Sequence, residues 1–214
     1  MAKTGVKNEK TSTTFGGFID DLAKIDDEVL IYPNVYILGE CKIKKGTVIY
    51  PNTTIENSEI GENCIIKSSF IENSVVKNNV EIGPFAHLRP NSVVGDGCKV
   101  GNFVEIKNAT LGKNTKASHL AYVGDADVGE NCNIGCGAIF VNYNGKTKNR
   151  TSVGDNCFIG SNCNIVAPVK IEKNSYICAG TTLTVDTEND DFVIGRCREV
   201  VKKNRAHNYL KETF

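Results

Sequence analysis

The sequence predicts an all-β parallel solenoid, with one short strand and one corner for every six residues, on three observations. Aliphatic residues recur at a step of six: Ile25, Ile31, Ile37, Ile43, Ile49 and Ile55, then Ile82, Leu88, Val94, Val100 and Ile106, then Val153, Ile159, Ile165, Ile171, Ile177 and Leu183. Five-residue joins link other aliphatics in the same way, as from Ile55 to Ile60, Ile106 to Leu111 and Val123 to Val128. Glycine often follows the aliphatic position, as at Gly61, Gly101, Gly135 and Gly160, with asparagine close by, and both residue types suit corners that demand positive φ.

A step of six fits neither the 3.6-residue helical period nor the two-residue alternation of a hairpin strand. It fits a triangular coil in which each hexapeptide supplies one inward aliphatic and three hexapeptides close a turn. Successive turns then stack as parallel strands about 4.8 Å apart. Periodicity does not set the hand of the coil, since parallel crossovers in ordinary sheets are right-handed.

The elements follow in order. Residues 1–20 are polar, lack the hexad and read as a flexible leader. Residues 21–191 carry the solenoid. Within it, the step lengthens to thirteen between Phe140 and Val153, spanning VNYNGKTKNRT. A long insertion held at its base by a regular coil is a natural place for function. Residues 192–214 read as one more strand and a short basic helix capping the open end.

Composition excludes several classes of function. Lysine plus arginine number 25 and aspartate plus glutamate 25, so no net field draws in nucleic acid or an anionic membrane. There is no apolar run of the roughly 18 residues needed to span a bilayer, and MAKTGVKNEKTSTTFGG lacks the apolar stretch of a secretory signal. A cytoplasmic location is expected. The nine cysteines are odd in number and none makes a CxxC pair, so reduced thiols are expected, with no metal site. Cys64, Cys98, Cys132, Cys157 and Cys163 stand where a small apolar side chain fits the core.

The strings GNFVEIK, SHLAYVGDADVG and NYNGK, within a segment beginning RPNSVVGDGCKV, resemble the acetyltransferase half of a bacterial family. That family is the bifunctional glucosamine-1-phosphate acetyltransferase/N-acetylglucosamine-1-phosphate uridyltransferase, of the hexapeptide-repeat transferase superfamily, and the similarity covers about residues 31–200. The resemblance implies a left-handed β-helix, a homotrimer and acetyl-coenzyme A as co-substrate. The family's other half, a nucleotidyltransferase with a glycine-rich phosphate loop, has no counterpart in this sequence, so a stand-alone or truncated acetyltransferase domain is expected.

Acetyl transfer from a thioester needs a base for the amine proton and donors for the developing oxyanion. His119, in ASHLAYVGD, matches the family's catalytic histidine, and an ordinary imidazole is largely unprotonated at neutral pH. Glu105 is the candidate to orient it. Arg89 and Lys107 match the phosphate-binding cations and stand eighteen residues apart, one full coil. Tyr122 and Asn133 match sugar contacts. Asn142 and Tyr143 match residues that meet the amine and the acetyl group, and Lys148 matches a lysine that the family delivers to a neighbouring subunit. Cys136, Ser161, Ala179 and Arg196 fall on the family's acetyl-coenzyme A positions. His87 and His207 have no matching context. The resemblance implies N-acetylation of glucosamine 1-phosphate on the route to UDP-N-acetylglucosamine and peptidoglycan. Acetylation of another amino sugar or small amine and a non-catalytic trimeric scaffold are the alternatives.

Overall fold

A computed structural model of the chain describes residues 3–4 and 16–208. Regular structure among them is strand, apart from a single 3-10 turn at Ala206–Asn208. The inward aliphatics of the hexads are buried, with Ile37, Ile43, Ile49, Ile55, Leu88 and Ile106 wholly so. They stack in register: Ile31 lies on Ile49 and Ile49 on Ile66, while Ile37 lies on Ile55 and Ile55 on Ile71. The six-residue period is the trace of that stacking, and the architecture is the left-handed parallel β-helix.

The coil has three faces. Face I runs from Leu30–Ile31 to Phe192–Val193, face II from Phe18–Ile19 to Thr182–Leu183, and face III from Lys24–Ile25 to Val169–Ile171. Face III is a separate sheet of nine strands. Faces I and II merge because two nine-residue strands, Lys99–Lys107 and Lys116–Gly124, run round the corner between them and pair along their length. This long double strand carries His119, Glu105, Lys107 and Tyr122.

The corners divide their labour differently from the sequence expectation. Positive φ falls mainly to asparagine, with Asn34, Asn63, Asn131, Asn156 and Asn174 between 55° and 60°. Of the glycines that follow inward aliphatics, Gly83 has φ of 92°, whereas Gly61, Gly101, Gly135 and Gly160 do not have positive φ. These four are needed for space. A Cβ on Gly101 would lie 1.9 Å from the Ser118 carbonyl oxygen, and one on Gly160 would lie 2.4 Å from the Ala179 nitrogen. Corner asparagines also bond to one another from coil to coil: Asn114 donates to Asn131 at 3.2 Å, Asn131 to Asn156 at 3.3 Å, Asn156 to Asn174 at 3.2 Å, and Asn174 to Asp190 at 2.9 Å.

Cys64, Cys98, Cys132, Cys157 and Cys163 are buried free thiols. Cys98 Sγ donates to the Gly112 carbonyl at 2.9 Å, a bond between coils that an aliphatic side chain would not make.

At the N-terminus the coil starts inside the expected leader, since Phe18–Ile19 pairs in parallel with Tyr36–Ile37. Lys3–Thr4 pairs antiparallel with Leu30–Ile31 and so covers the first open edge of face I. The rest of the leader, residues 1–2 and 5–15, lies outside the described residues. At the C-terminus Phe192–Val193 adds the last strand on Tyr176–Ile177. The short helix is the Ala206–Asn208 turn, and residues 209–214 lie outside the described residues. Among the described residues, no helix is long and apolar enough to cross a membrane, and no group of His, Cys, Asp and Glu could hold a metal ion.

Candidate active site

Most of the expected site residues fall on face II and its two edges. The edge shared with face III carries cations. Leu88 pairs with Ile106, so Arg89 and Lys107 sit directly over one another, as their eighteen-residue spacing requires. Arg89 donates from NH1 to Glu105 Oε1 at 2.9 Å, and this ion pair holds the guanidinium across the outer surface of face II. Lys148, from the inserted loop, lies beside Lys107, and its ammonium pushes the Lys107 pKa below the ordinary lysine value. The family resemblance has Lys148 reaching a neighbouring subunit. Here it joins Lys107 of its own chain.

One coil on from Lys107, the backbone turns at Asp125, whose φ is 47°. Its N–H donates to the Lys107 carbonyl at 2.9 Å, so it sits on the same edge. The carboxylate is buried and accepts from two amides, Asn108 Nδ2 and Asn142 Nδ2. Burial raises its pKa, but those two bonds together with the charges of Lys148 and Lys107 outweigh burial and hold it below the usual aspartate value. Asn142 Nδ2 also reaches Tyr122 Oη at 3.4 Å. The Tyr122 ring folds back over Gly124, where a Cβ would stand 2.4 Å from the phenol oxygen.

The inserted loop is short and internally bonded. Asn149 N donates to the Asn142 carbonyl at 2.7 Å, Tyr143 bridges Lys148, and Asn144 Oδ1 accepts from the N–H groups of Lys146 and Thr147. Arg150 pins the base, donating through Nε and NH2 to the Asp127 carboxylate, from NH1 to the Asn108 carbonyl at 2.9 Å, and from NH2 to the Ala126 carbonyl at 3.2 Å.

The edge between faces I and II carries the histidine. His119 is exposed and stacks on Asn102, with Nδ1 2.9 Å from Asn102 Oδ1. With Nδ1–H donating to that oxygen, Nε2 keeps its lone pair free for a proton. Glu105 therefore does not orient His119 within one chain. It lies three residues beyond Asn102 along the strand, on the outer surface of face II, and its partner is Arg89.

Further along this edge the four coenzyme A candidates form one column. The Leu120 carbonyl accepts from Gly137 N, the Cys136 carbonyl from Asn162 N, the Ser161 carbonyl from Gly180 N, and the Ala179 carbonyl from Arg196 NH1. Cys136, Ser161, Ala179 and Arg196 are all exposed. Three coil steps at about 4.8 Å separate the four candidates, a track of roughly 14 Å.

Asn133 is the site candidate that the chain does not bring in. It stacks between Lys116 and Phe158 on face I, away from Tyr122 on face II. Sequence reasoning missed Asn102, Asp125 and Arg150. Asp125 and Asn102 lie within the strings that carry the resemblance, but their partners are about one coil away in sequence.

Family profiles match most of the coil: the GMPPB C-terminal domain over residues 70–142, the hexapeptide repeat of succinyl-transferase over 150–185, and the bacterial transferase hexapeptide over 23–57. Among solved structures, a UDP-N-acetylglucosamine acyltransferase superposes with a TM-score of 0.56 at 19% identity, covering 86% of this chain and 69% of that one. The Arabidopsis UDP-N-acetylglucosamine acyltransferase gives 0.50, also at 19%, covering 80% and 69%. These two share the fold. The chain thus belongs to the hexapeptide-repeat β-helix proteins.

More particularly, it is a homologue of the C-terminal domain of the bifunctional GlmU proteins. It is 53% identical to GlmU of Caldicellulosiruptor saccharolyticus over 189 residues, 88% of this chain and 41% of that protein, and 48% identical to GlmU of Clostridium novyi over 183 residues, 86% and 40%. The chain spans about two fifths of the length of these relatives.

Proposed function

We propose that the chain transfers the acetyl group of acetyl-coenzyme A to the amine of glucosamine 1-phosphate, giving N-acetylglucosamine 1-phosphate for UDP-N-acetylglucosamine and cell-wall synthesis, as a cytoplasmic homotrimer. The observation that carries this reading is the arrangement of face II. Arg89, Lys107 and Lys148 gather at one edge, and His119 with an exposed backbone track lies along the other.

The cations suit a phosphate dianion, because Arg89 offers a planar fork and the two lysines mobile point charges. Like charges this close repel, and a bound phosphate turns that repulsion into attraction. The track suits an extended pantetheine arm, with Arg196 at its far end available to a phosphate of the coenzyme. In the reaction the neutral amine attacks the thioester carbonyl, a C–N bond forms and the C–S bond breaks. His119 Nε2 accepts the amine proton and returns it to the leaving thiolate. The N–H groups of Gly135, Gly137 and Ala138 donate within the coil, which leaves the Cys136 N–H as the donor to meet the developing oxyanion.

The trimer is supported by a second feature. Phe85, Phe103 and Leu120 follow one another along the edge between faces I and II, are 60%, 56% and 57% exposed, and all have positive φ. Phe85 and Phe103 stack with ring centroids 5.6 Å apart. Single exposed apolar side chains are ordinary, but a strained column of them is what a neighbouring copy would cover.

The test is thiol release from acetyl-coenzyme A with glucosamine 1-phosphate, for the natural chain and for His119→Ala. We expect turnover by the first and a loss of at least about a hundredfold in the second, the usual range for a general base. A folded natural chain that releases no thiol would support the scaffold alternative. Equal efficiency with glucosamine lacking phosphate would support another amine.

A further inference from the structure

We propose that Asp125 is a positioning residue that fixes which way round the Asn142 amide faces, so that the acceptor amine meets its carbonyl oxygen and never its NH2 group. The inference rests on the acetyl-transfer reading above, but its geometry is independent of that reading.

An asparagine amide can present either a donor or an acceptor, and its surroundings decide which. Asn142 is buried at the base of the inserted loop. Its Nδ2 group donates to Asp125 Oδ2 and reaches Tyr122 Oη, so both N–H bonds point into the chain. Its Oδ1 accepts from none of the described residues. An ionised carboxylate can only accept, and a flipped Asn142 would set two oxygens against each other in a buried place. Asp125 is itself kept from turning by Asn108 Nδ2 on its other oxygen. The amides and lysines around it favour the ionised form. What the chain offers outward beside Tyr122 is therefore a carbonyl oxygen. It accepts an N–H from the amine and leaves the nitrogen lone pair to be aimed at the thioester carbonyl.

The position also explains why a buried acid is kept beside Lys107 and Lys148. A carboxylate there weakens the grip of the two lysines on phosphate, a cost that orientation of Asn142 offsets.

Asp125→Asn is the direct test, because asparagine has the same shape and adopts positive φ readily. The substitution frees Asn142 to face either way and removes one negative charge from beside the lysines. Steady-state acetyl transfer by the full chain should show kcat lowered about tenfold to a hundredfold, the range for losing a hydrogen bond to a charged group. KM for glucosamine 1-phosphate should fall about twofold to fivefold as the lysines lose their competing anion. The double variant Asp125→Asn with Asn142→Asp again presents an acceptor at 142 and should recover at least half of the lost kcat on a logarithmic scale. Unchanged kcat in Asp125→Asn overturns the proposal, and so does a lowered kcat accompanied by a raised KM, which marks a collapsed loop.

A readout free of turnover separates this inference from the proposed activity. In a nitrogen-15 correlation spectrum of the natural chain, the Asn142 side-chain NH2, assigned by its loss in Asn142→Ala, should have one proton shifted downfield by its carboxylate partner. That shift should vanish in Asp125→Asn. If it is seen in a natural chain that does not acetylate glucosamine 1-phosphate, the activity reading fails and the amide orientation stands. If it is absent, the orientation fails whatever the activity.

Discussion

In the proposed reaction, what His119 and Lys107 can do is set by neighbours one coil or one loop away. Asn102 Oδ1, 2.9 Å from His119 Nδ1, selects the tautomer with a free Nε2 lone pair. Asn102→Leu should therefore lower kcat about tenfold, the loss of one directing hydrogen bond, with KM for both substrates within about twofold of natural. Initial-rate kinetics over both substrates check this, and a raised KM with unchanged kcat would assign Asn102 to binding. Lys107 carries a pH consequence. Lys148 beside it lowers its pKa, so Lys107 loses its charge at a lower pH than an isolated lysine, and the proposed grip on a phosphate should weaken from that lower pH upward. Lys148→Ala removes one cation and lifts this depression. KM for glucosamine 1-phosphate should be higher at pH 7 in the variant, and its alkaline rise should begin at a higher pH than in the natural chain. KM measured from pH 7 to 10.5 tests both signs.

At the scale of a single coil, stability and legibility have the same source. The inward hexads were readable because burial imposes them on every coil, and the eighteen-residue pairing of Arg89 with Lys107 followed directly. Partnerships across coils of other lengths were not readable. Asn102 and His119 are seventeen residues apart, as are Asp125 and Asn142, while Arg89 and Glu105 are sixteen apart. Glu105 stands fourteen residues before His119, three short of the seventeen that stack Asn102 on it, so the carboxylate named to orient the histidine falls beside Arg89 instead. The corner glycines misled for a related reason: composition shows that Gly101 is needed, but only stacking shows that the Ser118 carbonyl above it is why. The asparagine ladder gives the quantitative test at this scale. Asn156 holds φ at 59° and bonds to Asn131 and Asn174. Asn156→Ala should cost about 2 kcal/mol, roughly half from alanine's aversion to that φ and half from two exposed side-chain bonds. Asn156→Gly keeps the φ and should cost only about 1 kcal/mol. Urea unfolding of the two variants separates the contributions, and equal losses would show that the ladder, not the backbone, dominates.

For the whole molecule, the strained apolar column on the edge between faces I and II sets stability of one chain against the proposed association of three. A bulky residue at positive φ costs about 1–2 kcal/mol, and asparagine there costs less. Phe103, at φ 58° and more than half exposed, does little in an isolated chain to offset that strain beyond stacking on Phe85. Phe103→Asn should therefore leave each chain as stable as before or more so, by up to about 1 kcal/mol. If the column is the surface a neighbouring copy covers, the same change removes an aromatic anchor from that contact. The mass in solution, measured by light scattering over a dilution series, should then fall from three chains towards one at concentrations where the natural chain stays assembled. Phe103 follows Asn102 and Leu120 follows His119 in sequence, so dissociation should take activity with it, and the specific activity of the variant should recover as protein concentration rises. A variant that stays trimeric with full activity would remove this column from the interface and leave its strain without a purpose in the assembly.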